Sequence, residues 1–225
     1  MNIEYRHVAA MLSETETVQS GPQEFLIGKM GESKVVLLQC GIGKTNAASG
    51  VTNLIMSFHP DYIISTGAAG GIDAKLNVMD IVIGKEVCYH DVICGDNYDP
   101  GQVQGLPRFF SGNAHLIDIT TSLQTDIRIV PGLICTGDQF ITDKAALTKI
   151  KASFPEGLAC EMESAAIAHT CYQLRVPFLS IRVISDTPGN TDNHQQQWDE
   201  FLASMGERSF LFMQRFLSQL PHKCN

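Results

Sequence analysis

The chain has 225 residues, of which 44% are hydrophobic and 18% charged, and its formal net charge is −8. This balance predicts one soluble globular domain, residues 1–225, and excludes a disordered chain. The acidic balance without a large Lys/Arg cluster argues against nucleic acid as a partner. No window reaches the roughly 18 apolar residues of a membrane span, and the start MNIEYRHVAA lacks a signal-peptide core, so we expect a cytoplasmic protein.

Short apolar runs alternate along the chain with segments of helical periodicity. The predicted elements are a strand in KVVLLQC, a helix over about 44–59, strands in DYIISTG and DIVIGKEVCYHD, a helix near 114–124, a strand in IRIVPGLICTG, a helix near 143–153, a strand in GLACE, a helix over 163–175, a strand in VPFLSIRVISD and a helix near 195–219. Unbroken apolar runs indicate strands covered on both faces. The alternation predicts an α/β fold, a three-layer αβα sandwich around a central mixed, largely parallel sheet.

Two glycine-rich stretches follow predicted strands. CGIGKTNAASG is not a Walker loop, because Leu38 stands where that loop needs glycine, and it is not a dinucleotide fingerprint, because Asn46 stands at the third glycine position. STGAAGGID is interpreted as a glycine-rich turn after a strand. Its small residues serve either close packing or a backbone floor under a sugar or phosphate.

Carboxylates stand at two predicted strand ends. Glu161 and Glu163 flank Met162 before an alanine-rich helix. They are either acidic residues that favour a helix N-terminus by about 0.3–1 kcal/mol or working groups. Asp186 ends an apolar strand before Thr-Pro-Gly. It is either a turn residue or a group at the edge where α/β sheets bind ligands.

The seven cysteines form no C-x-x-C pattern. Most lie in apolar runs, which predicts buried free thiols in a reducing compartment. No His/Cys spacing matches a metal site, so we predict neither a metal nor a cofactor.

Read together and in order, the segments CGIGK, STGAAGG, YHD, CTGDQFI, EMESAAIAH and VISD resemble the nucleoside phosphorylase/hydrolase superfamily. Within it they are most similar to the bacterial 5′-methylthioadenosine/S-adenosylhomocysteine nucleosidases. The resemblance runs from Met1 to about Leu217. It implies hydrolysis of the N-glycosidic bond of an adenine nucleoside that carries a 5′-thioether, with that small molecule and water as the partners.

The resemblance implies three acidic site residues. Asp186 matches the proton donor to adenine N7; because a free Asp titrates near about 3.9, burial would have to raise its pKa. Glu163 matches the glutamate that holds the ribose 2′- and 3′-hydroxyls, with Met162 packed against the sugar, while Glu161 is expected to be structural. Glu4, in MNIE, matches the glutamate that activates the attacking water.

The other substrate-binding residues implied by the resemblance are Phe140, Ile141, Ile42, Phe201, Ala68, Gly70 and Ser185. Phe140 would stack on adenine, and the backbone of Ile141 would read the edge of the base. Ile42 and Phe201 would line the pocket for the 5′-alkylthio group, where contacts between sulfur and aromatic rings are favourable. Ala68 departs from the family pattern, since many relatives have serine there.

A second departure concerns the N-terminus. Family members normally have an apolar strand of roughly eight residues before the methionine that opens this sequence. We therefore expect in-frame upstream codons for such a strand, whose loss would weaken the placement of Glu4. Residues 92–107 match the segment that family dimers lend to a neighbouring site, which predicts a homodimer.

Three alternatives remain open at this point. One is a different nucleosidase, such as a futalosine hydrolase. Another is a purine nucleoside phosphorylase, which would need arginine for phosphate, and Arg182 is the one plausible candidate. The third is a catalytically weakened nucleoside-binding homologue. The sequence does not rank methylthioadenosine, S-adenosylhomocysteine and 5′-deoxyadenosine as substrates.

Overall fold

The computed structural model describes residues 2–187, Phe201 and residues 208–220. The helices are α1 Asn2–Ala10, α2 Lys44–Phe58, α3 Ala114–Ser122, α4 Lys144–Ser153, α5 Ser164–Leu174 and α6 Arg208–Ser218. The strands are β1 Ser13–Ser20, β2 Gln23–Met30, β3 Ser33–Leu38, β4 Ile63–Gly71, β5 Ile81–Tyr89, β6 Phe110–Ser111, β7 Ile129–Thr136, β8 Gly157–Glu161 and β9 Phe178–Asp186. The helix predicted near 195–219 lies partly outside the described residues, and α6 is its described part. None of the described helices has the length and apolar character to cross a bilayer.

A six-stranded mixed sheet forms the centre of the fold, in the order β6-β5-β7-β8-β4-β9. The long pairings, β5 with β7, β7 with β8, and β4 with β9, are parallel. The antiparallel pairings are short. Because β5 also pairs with β9, the sheet closes on itself. The predicted mixed α/β domain is therefore confirmed; the closure of the sheet had no signal in the sequence.

Strand β9 shows why the central sheet forms from these residues. Its apolar run Phe178–Asp186 is buried at every position, as expected for a strand covered on both faces. One hydrophobic cluster joins the inner faces of α2 and α5 to the sheet. A second cluster joins β5 and β9 to α1 and α6, and it includes Val8 and Phe216. The second cluster fixes α1, and with it Glu4, against the sheet.

A separate three-stranded antiparallel sheet, β1-β2-β3, precedes α2. The hairpin of β1 and β2 was not predicted. Most of β1, SETETVQS, is exposed, so it has no alternation of apolar and polar residues from which a strand could be recognised.

The interpretation of STGAAGG as a turn was wrong, because this run continues β4 to Gly71. Its small residues pair in parallel with β9, and the last two, Gly70 and Gly71, also pair antiparallel with β8. The physical reason lies at Gly67, where a Cβ atom would approach within 3.3 Å of the Arg182 guanidinium carbon. A larger side chain at this position would compete with that buried group for space.

Candidate active site

A cavity of about 540 Å³ opens where β4, β8 and β9 end. Among the described residues, ten of the eleven predicted site residues line this cavity: Glu4, Ile42, Ala68, Gly70, Phe140, Ile141, Met162, Glu163, Ser185 and Asp186. They come from segments far apart in the chain. The sheet brings them together because the carboxyl ends of these strands lie side by side.

Asp186 is 4% exposed at the end of β9. The pairing of β9 with β4 has a bulge there, since Ala69 pairs with Ile184 and Gly70 pairs with Asp186. Bulges re-aim side chains, and both Ser185 and Asp186 line the cavity. The Ser185 hydroxyl lies 2.6 Å from Asp186 Oδ1 and can donate to it. Asp186 therefore meets the condition of burial that its predicted role as a proton donor sets.

Glu163 stands at the N-cap position of α5, but its side chain does not cap that helix. The backbone N–H of Gly43 donates to Glu163 Oε1 over 2.9 Å. This bond joins the turn before α2 to the start of α5. A carboxylate that accepts such backbone bonds still has capacity for further donors, and the carboxylate of Glu163 lines the cavity.

Glu161 performs the capping that Glu163 does not. It ends β8 and is 8% exposed. The backbone N–H of Ser164 lies 3.0 Å from Oε1 and 2.9 Å from Oε2 of Glu161. The N–H of Glu163 donates to Oε2 over 3.0 Å, and the Thr136 hydroxyl also donates to this carboxylate. Because Glu161 satisfies the first amides of α5, Glu163 can face the cavity.

Arg182 is the buried cation of the site and is 1% exposed. It donates to Glu161 Oε2 from Nε over 3.1 Å and from Nη2 over 2.8 Å. It also donates to the Ser65 hydroxyl over 3.0 Å and to the carbonyl of Ile181 over 3.1 Å. The sequence considered Arg182 only as a phosphate ligand. The lone arginine in the apolar run FLSIRVISD could have predicted a buried ion pair, because a buried charge needs a partner.

The two glutamates that flank Met162 have opposite electrostatic environments. Burial raises the pKa of Glu163, and the neighbouring charge of Glu161 raises it further. Burial also acts to raise the pKa of Glu161, but the Arg182 guanidinium and the hydrogen bond from Thr136 outweigh it and hold that pKa below its usual value. Glu161 is therefore held as a carboxylate, while protonation of Glu163 is made easier.

Glu4 lies in the first turn of α1 and lines the cavity beside Tyr5 and Val8. Burial acts to lower the pKa of Arg182, but the carboxylates of Glu161, Glu163 and Glu4 together raise it. Glu4 therefore faces the same cation as the two glutamates of β8 and α5.

The residues predicted to contact the base and the thioether have different exposures. Ile42 is 73% exposed and Phe140 62% exposed, whereas Ile141 is only 5% exposed. Ile42 and Phe140 thus present apolar surface to solvent beside a cavity that carries buried charges. Phe201 is fully buried in the cluster of β5, β9 and α6. It is not among the described residues that line the cavity, and its place in the thioether pocket stays a prediction.

A family model described as "Phosphorylase superfamily" matches residues 1–218. The chain belongs to the Phosphorylase superfamily. One relative in this superfamily is the 5′-methylthioadenosine/S-adenosylhomocysteine nucleosidase of Geobacillus sp. (strain WCH70). The two proteins are 41% identical over 202 residues, which are 88% of this chain and 86% of the relative.

Solved structures with the same fold hold ligands. The methylthioadenosine/S-adenosylhomocysteine nucleosidase of Colwellia psychrerythraea 34H, in complex with adenine, has a TM-score of 0.91 and 37% identity, covering 100% of this chain and 94% of its own. The 5′-methylthioadenosine/S-adenosylhomocysteine nucleosidase of Neisseria meningitidis, in complex with methylthio-immucillin-A, has a TM-score of 0.91 and 34% identity, covering 98% and 96%. The resemblance and the fold class predicted from the sequence are confirmed.

Proposed function

We propose that the chain hydrolyses the N-glycosidic bond of 5′-methylthioadenosine and S-adenosylhomocysteine and releases adenine and the 5-thio-ribose product. The observation that carries this proposal is the single cavity that gathers Asp186, Glu163 and Glu4. The hydrolysis needs a proton for the leaving base, stabilisation of a positive ribose and an activated water. The relatives' names and the adenine complex support the choice of substrate.

Asp186 acts in the proposal as the general acid toward adenine N7. It is buried, and the Ser185 hydroxyl beside it orients one of its oxygens. Its place in the cavity wall, shielded from bulk solvent, supports a role as proton donor. Phe140 and Ile141 lie on the loop after β7 and complete the proposed base site.

Glu163 binds the ribose in the proposal. Gly43 orients one of its oxygens, and the carboxylate offers two acceptor atoms for two vicinal hydroxyls. Its negative charge favours an oxocarbenium-like transition state more than the neutral substrate, which is the differential binding that catalysis needs. In the proposal Met162 packs beside the sugar. Ala68 and Gly70 also line the cavity, and their small size leaves the backbone accessible to the sugar.

Glu4 activates the water in the proposal. It comes from α1, whereas the proposed acid comes from β9. A base and an acid from different elements can act on opposite faces of one sugar. Ile42 and Phe201 cover the thioether in the proposal.

A phosphorylase would need a cation available for phosphate. Arg182 lines the cavity, but its guanidinium is bound to Glu161, Ser65 and a backbone carbonyl. A phosphate would have to compete with a buried carboxylate for this cation. The environment of Arg182 therefore favours water over phosphate as the nucleophile.

A two-fold homodimer completes the proposal. Helices α2 and α5 carry exposed Met56 and Tyr172, and the segment 92–107 carries Ile93, which is 84% exposed. Exposed apolar groups that form a contiguous patch mark association surfaces, and the proposed dimer would join these residues into one. The segment that includes Ile93 is the one predicted to reach the neighbouring site.

The proposal is tested by base release from purified protein in phosphate-free buffer. Methylthioadenosine, S-adenosylhomocysteine and futalosine are supplied separately, and the bases are separated by chromatography. We expect adenine from the first two and no hypoxanthine from futalosine. Faster release of hypoxanthine from futalosine would assign the site to a futalosine hydrolase. No base from any of the three would indicate a binding protein.

A further inference from the structure

Three sequence segments, GIGK, YHD and TGDQ, meet beside the cavity through Lys44, Asp91 and Asp138, which have no role in the proposed chemistry. Lys44 Nζ, at the start of α2, donates to Asp91 Oδ1 over 2.8 Å and to Oδ2 over 2.7 Å. It also lies 3.8 Å from Asp138 Oδ2. One cation therefore joins the start of α2 to the segments that follow β5 and β7.

Backbone hydrogen bonds close this contact into a ring. The N–H of Lys44 donates to Asp138 Oδ1 over 2.8 Å, and the N–H of Asp138 donates to Asp91 Oδ2 over 2.9 Å. Gly43, the N-cap residue of α2, has no side chain with which to accept such a bond. Asp138 thus caps α2 from another segment of the chain.

The ring adjoins both halves of the proposed nucleoside site. Gly43, next to Lys44, donates to Glu163, and Phe140 stands two residues after Asp138. Little space separates the segments, since a Cβ atom on Gly43 would lie 3.0 Å from Asp138 Oδ1. The Gly43 φ of +90° also requires glycine. A shift of Asp138 would therefore move Gly43 and Phe140 relative to each other.

The ring is too exposed to act mainly as a stability device. The exposed fractions of the side chains are 23% for Lys44, 28% for Asp91 and 48% for Asp138. Ion pairs of such exposure contribute about 0–1 kcal/mol to folding. Burial acts to raise the pKa of Asp91, but its bonds from Lys44 and Asp138 outweigh this and lower it, so Asp91 remains charged at neutral pH. The ring can instead fix the relative positions of the three segments that it joins.

We propose that Lys44, Asp91 and Asp138 form a positioning network that sets the spacing between the ribose carboxylate Glu163 and the adenine-stacking ring of Phe140. The inference rests on the proposed function, because it takes Glu163 and Phe140 as nucleoside contacts. Groups that hold binding residues in place act on affinity without touching the ligand. The network should therefore control how tightly a nucleoside binds and, through the position of Phe140, how tightly adenine alone binds.

The test compares Asp138→Ala and Asp138→Asn with Asp143→Ala. Asp143 is a matched control, because it caps α4 through the N–H of Ala146 over 2.8 Å and lies outside the cavity lining. For adenine, calorimetry should give an increase in Kd of about tenfold for Asp138→Ala, since loss of positioning of about 1 Å is costly. Asp138→Asn should remain near wild type, because its amide oxygen still accepts from Lys44. Asp143→Ala should lower Tm and leave Kd unchanged.

Kinetics with methylthioadenosine separate this role from a general structural one. Asp138→Ala should raise KM by about the factor seen for adenine and change kcat less, the pattern of lost binding shared by substrate and transition state. Unchanged adenine affinity in Asp138→Ala would overturn the inference, and so would equal weakening in Asp143→Ala. If Asp138→Ala does not fold, Lys44→Met decides: weaker adenine binding supports the network, and wild-type binding overturns it.

The two proposals fail in distinguishable ways. If the wild-type protein binds adenine but does not cleave methylthioadenosine, the proposed function fails. The adenine series still decides the role of Asp138 in that case. If wild-type protein cleaves methylthioadenosine and every ring variant binds adenine normally, only the network inference fails.

Discussion

At the scale of single residues, two glutamates that are close in the sequence have different surroundings. Glu161 and Glu163 flank Met162, yet one is bound to Arg182 and the start of α5, and the other lines the cavity. Glu161 stabilises the helix start that presents Glu163. The sequence predicted a structural role for Glu161 and a ribose-binding role for Glu163, but it did not identify Arg182 as the partner of Glu161.

We predict opposite effects of Glu163→Gln on stability and activity. Burial and the charge of Glu161 raise the folded-state pKa of Glu163 above its ordinary 4.5. The stabilising contribution of this group is therefore present at low pH and lost as the pH rises through the interval above 4.5. The glutamine variant should be more stable than wild type at pH 7, with an advantage that shrinks on acidification, while kcat/KM falls.

Urea unfolding across this pH range checks the prediction, and Glu161→Gln is its matched control. The pKa of Glu161 is lowered, so its contribution is present above its unfolded pKa and lost as the pH falls through the folded value. Its variant should be less stable than wild type at pH 7, with a deficit that shrinks in acid. The same sign of effect for both variants at pH 7 would contradict the assigned environments.

A second residue-scale prediction concerns Asp186. Asp186→Asn should lower kcat for methylthioadenosine by about 10²–10⁴, the usual contribution of a general acid. Adenine affinity should change little, because asparagine keeps the shape of the side chain. Ser185→Ala should cause a smaller loss, since it removes only the group that orients Asp186. Near-normal turnover by Asp186→Asn would exclude it as the acid.

At the scale of elements, strand β9 supplies the buried cation Arg182 and the buried carboxyl group of Asp186. The Ser185 hydroxyl contacts that carboxyl group at the bulge in the pairing of β9 with β4. The small residues of β4 leave space for the side chains of β9, since Gly67 faces the Arg182 guanidinium. Sequence reasoning took this glycine run for a turn. Glycine is disfavoured in strands, so the local sequence favours a turn. The run is a strand because it pairs with β9, whose buried Arg182 needs the space that glycine leaves.

The ion pair between Glu161 of β8 and Arg182 of β9 gives a prediction at the scale of elements. Glu161→Gln should lower the free energy of unfolding by about 3–5 kcal/mol, because it leaves a buried guanidinium without its carboxylate. Adding Arg182→Met should recover part of the loss, since an apolar side chain of similar length needs no partner. Chemical denaturation of the two single variants and the double variant measures the coupling. Additive losses would show that the pair does not act as a unit.

At the scale of the whole molecule, the sheet explains why scattered motifs form one site. The alternation along the chain predicted six of the nine described strands, β3, β4, β5, β7, β8 and β9, and the resemblance predicted ten of the residues that line the cavity. Neither indicated the closure of the sheet through β5 and β9, because strand partners depend on packing between distant segments. The ring of Lys44, Asp91 and Asp138 was missed for the same reason.

The homodimer gives a prediction at this scale. Ile93→Asp should weaken self-association by at least about tenfold, because a charge replaces an exposed apolar side chain in the predicted interface. Leu211→Asp is the control, since Leu211 is 46% exposed on α6 and lies outside the predicted interface. Sedimentation velocity over a concentration series measures both variants. Equal effects of the two substitutions, or a monomeric wild type at micromolar concentration, would contradict the proposed assembly.

The central claim is that water, and not phosphate, accepts the ribose. Its most direct test is product analysis with methylthioadenosine, with and without inorganic phosphate, using mass spectrometry of the sugar. The buried pairing of Arg182 with Glu161 predicts equal rates of adenine release in both buffers and free methylthioribose as the sugar product. A rate that depends on phosphate, with methylthioribose 1-phosphate as the product, would contradict the account.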